Sequence, residues 1–145
     1  MHPLTGARLA GTGTTHVDLA LEGGYSARLF LLDSHLARFL ITRPGGLAMS
    51  RTWSLSPEIA WRGEPDPIDG RDRLDVSGFP GAAFAVTEDS DAIAVETAQL
   101  RVVIRRSPLM LDWQVRATVD EPFESILKDR PTHAYFFDRR PNRVR

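Results

Sequence analysis

Short runs of alternating apolar and polar residues, cut apart by turns, leave this chain few folds to choose from. Val17, Leu19 and Leu21 alternate with Asp18, Ala20 and Glu22, and Leu100, Val102 and Ile104 alternate with Arg101, Val103 and Arg105. A period of two sends successive side chains to opposite faces of an extended strand, so each run reads as a strand. Tyr25 to Leu32, Leu36 to Thr42, Phe84 to Glu88, Ala92 to Thr97 and Leu109 to Val115 extend the series. Between them stand Glu22-Gly23-Gly24, Asp33-Ser34-His35, Arg43-Pro44-Gly45-Gly46, Glu88-Asp89-Ser90-Asp91 and Ser107-Pro108. Glycine, proline, aspartate and serine favour turns, each for its own backbone reason. No amphipathic helix of three turns and no fixed-period repeat is visible. Seven or more short strands joined by turns predict an all-β fold, an antiparallel β-sandwich or a barrel.

Two stretches break the rhythm. Residues 57–81 hold Pro57, Pro65, Pro67 and Pro80 with Gly63, Gly70, Gly78 and Gly81. Prolines this dense cannot continue a central ladder or a helix, so 57–81 reads as a long Pro/Gly-rich loop with room for one short strand. A structureless loop of that length is unusual in a compact domain, which argues for hidden structure or a docking role. Further on, Glu121 to Lys128 suits a short helical turn or a strand. Ala134 to Phe137 forms a final aromatic strand before a basic tail.

A length of 145 residues suits a single domain over 1–145. The 42% hydrophobic and 26% charged residues are ordinary globular usage, enough to bury a core. A net charge of −1 gives no electrostatic reason to expect nucleic acid or an anionic membrane as partner. With no cysteine, disulfides, thiolate catalysis and Cys-ligated zinc are excluded. Met1 to Gly6 lacks the basic and apolar regions of a secretory signal. Leu29-Phe30-Leu31-Leu32 is too short to cross a bilayer. The expected location is the cytoplasm.

Few residues invite chemistry. Asp33-Ser34-His35 has the residue types of a relay, but neighbours on extended chain point to opposite faces; a polar turn is the favoured reading. His2, His16, His35 and His133 lie in separate segments without metal-ligand spacing, so no metal is expected. Gly11-Thr12-Gly13-Thr14-Thr15-His16 opens like a dinucleotide fingerprint, yet His16 replaces the third glycine and no strand precedes it in this reading. It is taken as a flexible N-terminal loop. No pair of carboxylates stands out for acid–base work. Trp113 suits a core or interface anchor, while Trp53 and Trp61 remain candidates for a sugar-stacking platform.

The order of residues adds a resemblance. Val95-Glu96-Thr97-Ala98-Gln99-Leu100-Arg101-Val102-Val103-Ile104, then Ser107-Pro108-Leu109-Met110-Leu111-Asp112-Trp113, resembles the paired strands in the N-terminal domain of glycoside hydrolase family 31. Leu127-Lys128-Asp129-Arg130-Pro131-Thr132-His133-Ala134-Tyr135-Phe136-Phe137 is similar to a segment of bacterial α-glucosidases of that family, just before the chain approaches the catalytic barrel. Asp33 to Leu40 is similar to a strand that carries an Arg between apolar residues. The likeness runs from about Asp18 onward.

The resemblance implies an antiparallel β-sandwich of the galactose-mutarotase-like type, incomplete at its C-terminal end because the family's Tyr-Gly-x-Gly-Glu-like strand is missing. Some strand edge should then be left unpaired. It also implies a parent enzyme that removes α-linked glucose with retention, using two aspartates on a (β/α)8 barrel. A barrel alone takes about 250 residues, so no catalytic residue carries over and no cofactor is implied. The chain alone is expected to be inactive. Its role would be that of an accessory domain, with the barrel of the same polypeptide as partner and the α-glucoside met through the parent enzyme. Asp129 and Arg130 would rim the docking face, Tyr135 and Phe137 would supply its apolar surface, and His133 would approach the sugar pocket. The alternative is a stand-alone carbohydrate-binding or scaffolding sandwich built on Trp53 or Trp61.

Overall fold

The computed structural model describes residues 2–52, 70–130 and 136–137. Along them run β1 (His2–Pro3), β2 (Arg8–Thr12), β3 (His16–Ala20), β4 (Ser26–Leu31), β5 (Ala37–Thr42) and β6 (Arg51–Thr52). Then come β7 (Arg71–Asp72), β8 (Ala85–Glu88), β9 (Ala92–Glu96), β10 (Leu100–Arg106), β11 (Leu109–Val115), β12 (Glu124–Lys128) and β13 (Phe136–Phe137). Among the described residues there is no α-helix, only a 3-10 turn at Glu22–Gly24. Gly23 and Gly24 there take φ of 74° and 77°, left-handed values that side chains resist and glycine does not.

Every pairing is antiparallel. One sheet runs β2-β3-β4-β5 and a second runs β12-β11-β10-β9-β8, with two-stranded ribbons β1-β13 and β6-β7 beside them. The alternation read in the sequence is what joins the two sheets. Val17, Leu19, Ala27, Leu29 and Leu31 of the first sheet and Ile93, Val95, Leu100, Val102, Ile104, Leu109 and Leu111 of the second form one buried cluster. Their neighbours Asp18, Arg28, Arg101 and Arg105 face away. Burying each large aliphatic side chain contributes about 1.5–3 kcal/mol, so this cluster is what selects the strand registers. The chain is therefore all-β, two antiparallel sheets facing across a common core.

A hydroxyl ties one sheet to the other. Thr97, at the β9–β10 turn, is buried, and its Oγ1 accepts hydrogen bonds from the Leu100 amide at 2.9 Å and the Gln99 amide at 3.3 Å. The same hydroxyl lies within donating reach of the carbonyl of Ser34, in the β4–β5 turn.

Three readings needed the fold to settle them. Gly11 to His16 is not a flexible loop: Gly11 and Thr12 end β2, an edge strand of the first sheet with a register irregularity between Leu9 and Gly11, and His16 begins β3. Small residues disguised β2, since Ala10 and Gly11 offer little apolar contrast to alternate. Gly13 serves the β2–β3 turn, where a Cβ would stand 2.2 Å from the His16 ring; that is the use of this glycine, and it leaves no phosphate loop. Of the segment Glu121 to Lys128, Glu124–Lys128 forms strand β12, because β11 offers it an open ladder edge.

Within 57–81, residues 70–81 contain β7 and fold over the outer face of the first sheet. There Leu47, Val76 and Phe79 cover Phe30, Leu32 and Leu40, and Phe30 is only 2% exposed. Arg71 holds the cover, donating to Asp75 Oδ2 at 2.9 Å and to the Ser77 carbonyl at 2.8 Å.

Candidate functional site

The least finished part of the sandwich is its β12 edge. All five residues of β12 are exposed, including two large apolar ones, Ile126 at 64% and Leu127 at 62%. Its pairing with β11 shifts register between Trp113 and Gln114, and such a bulge bends an edge strand and interrupts the ladder. Trp113 stands opposite Leu127 and packs, partly buried, against the rim of the core, as a core anchor does.

Asp129 ends the strand. Its amide donates to the Leu111 carbonyl at 2.9 Å, and its Oδ2 accepts from the Leu111 amide at 2.7 Å. The side chain thus adds a bond to the ladder at the point where β12 ends. Asp129 is accordingly a structural group fastened to β11, and exposed Arg130 follows it. Phe137 lies in β13, where its backbone pairs with His2 of β1. His133, Tyr135, Trp53 and Trp61 lie outside the described residues.

Sequence reasoning overlooked Phe123. Its ring centre lies 4.2 Å from the guanidinium carbon of both Arg101 and Arg116. Glu96 steadies the pair, at 2.6 Å from Arg101 and 3.4 Å from Arg116. The available signal was a lone aromatic in 117–125, a run with few large apolar residues.

Several charged groups elsewhere among the described residues are paired. On the outer face of the first sheet Arg28 grips Asp18 at 2.6 and 3.0 Å, which holds the Asp18 carboxyl below its ordinary value, with burial opposing and the charges of Arg28 and His16 assisting. A carboxylate kept ionised in this way is no proton donor near neutrality. Asp18 and Arg28, with Ser26, Leu40, Thr42 and Leu74, line a shallow groove of about 380 Å³. In the β4–β5 turn Ser34 donates to Gln99 Oε1 at 2.9 Å, and exposed His35 sits 4.0 Å from Asp33. No relay forms.

A wider, open groove of about 720 Å³ lies between Thr12–Thr15 and Pro80–Phe84; it brings hydroxyls and Phe84 together but no titratable side chain. Among the described residues no cluster of His, Asp and Glu has the makings of a metal site, and no helix is long and apolar enough to cross a membrane. Compared with protein-family models, curated proteins and solved structures, the chain matches none.

Proposed function

We propose that this chain is the N-terminal β-sandwich, of the galactose-mutarotase-like type, of a family 31 glycoside hydrolase, where it supports a catalytic barrel and its α-glucoside pocket. The observation that carries the reading is the position of the apolar edge. Ile126 and Leu127 stand in water where the strand runs into Leu127–Phe137, the segment that resembles the family's approach to its barrel. Two such side chains left exposed forgo about 1.5–3 kcal/mol each, and a docked neighbour recovers that; inter-domain faces commonly bury several hundred Å².

The test is to express the chain joined to whatever follows Arg145 in its gene and to assay glucose release from maltose. Release that disappears when barrel aspartates are replaced supports the proposal. A gene with no barrel-coding sequence in that frame overturns it.

A further inference from the structure

We propose that residues 117–130, which carry β12, are a strap that opens from the sandwich as a unit while the core stays closed. Between Ala117 and Arg130 every residue is exposed except Phe123 and Asp129. Those two flank β12, one before it and one after it, and they are its fastenings. Phe123 is clasped by Arg101 and Arg116 at 4.2 Å each. Asp129 exchanges two hydrogen bonds with Leu111.

Between these points the strap has little else. Its ladder to β11 is broken by the bulge. Its further side-chain ties, Ser125 to Asp112 at 2.6 Å and Lys128 to Asp112 at 3.7 Å, involve exposed partners on the strap and contribute little against water. Edge strand β2 also has a register irregularity, but it and β8 have fastenings that β12 lacks. β2 is flanked by buried Leu4 and Ala7, which are bonded to Leu109 and Arg106, and β8 pairs with β9 in unbroken register. Segments with few buried contacts open locally at a lower free energy than the whole fold. Opening bares the backbone edge of β11 and the side of Trp113 that faces Leu127. This inference is independent of the glycosidase reading.

Amide hydrogen exchange on the whole chain tests it. Amides of 124–128 are expected to exchange at least about 100-fold faster than those of β9 and β10, the spread that separates local from global opening. Phe123→Ala should speed exchange in 124–128 a further 5- to 30-fold or so, the factor matching two exposed cation–π contacts, and leave β9 and β10 unchanged. Phe123→Leu keeps apolar bulk without the ring and should show most of the same acceleration. Equal protection of 124–128 and β10 in the parent chain overturns the proposal. So does an equal acceleration of both regions, loss of the folded circular dichroism signal in Phe123→Ala, or parental rates in Phe123→Leu.

Discussion

Replacing Thr97 by Val keeps the shape of a buried side chain and removes its oxygen. The Leu100 amide, beside a 3% exposed side chain, then loses its 2.9 Å acceptor, and a stranded buried donor costs about 1–3 kcal/mol. The Gln99 amide is nearer solvent and loses a longer bond of 3.3 Å. The Ser34 carbonyl loses the hydroxyl that bridged the two sheets. Together these give an expected destabilisation of about 2–4 kcal/mol. Thr97→Ser deletes only a methyl group and keeps every bond, so about 1 kcal/mol is expected, near the value of one buried methylene. Urea unfolding of both variants, read at constant m, gives the comparison directly. If the Val variant equals or exceeds the Ser variant in stability, the hydroxyl is not the tie between the sheets.

Further expectations follow from burial, charge and the missing chemistry. Ile104 is fully buried and its neighbour Arg105 exposed; Ile104→Ala should cost about 2–5 kcal/mol and Arg105→Ala less than about 0.5 kcal/mol in the same assay. The Ser77 hydroxyl and amide, with Arg71, hold Asp75 down at about 2 from an ordinary 3.8. A depressed folded value stabilises above the unfolded one and is lost as the pH falls through the folded one. Acid titration should therefore show the parent losing stability relative to Asp75→Asn between pH 3.8 and about 2; parallel curves would refute it. The purified chain should release no glucose from maltose, and reproducible release free of host enzyme would contradict the accessory role.

The fold was legible wherever large aliphatic side chains alternated with charged ones. Leu100 to Arg106 shows it best: Leu100, Val102 and Ile104 face the core, and Arg101 and Arg105 the solvent. Legibility failed where contrast was weak or where partners came from afar. Ala10 and Gly11 gave β2 no amplitude, and β12 is set by the open edge of β11 rather than by its own five exposed residues. The covering of Phe30 by Val76 and Phe79 joins residues more than forty positions apart, which no local pattern announces. At the candidate site, the interest of Asp129 was visible but its work was not. That its carboxylate accepts from the Leu111 amide is shown only by the fold, because the two residues lie eighteen positions apart. The Arg101–Phe123–Arg116 clasp likewise joins a side chain of β10 to two from the β11–β12 connection.

The ribbon of β1 and β13 has a mechanical meaning. His2 pairs with Phe137 and Pro3 with Phe136 in antiparallel register, so the outermost described residues of the two chain arms sit side by side. A pull applied through those arms peels their hydrogen bonds apart one pair at a time, as a zip opens, instead of loading several in shear. On the N-terminal arm tension then arrives at Leu4 and Ala7, bonded to Leu109 and Arg106, and on the C-terminal arm at Asp129, bonded to Leu111. On the N-terminal side the sandwich is thus hung from a weak link in front of a stronger one, and a tug is taken up at the ribbon before it reaches the sheets.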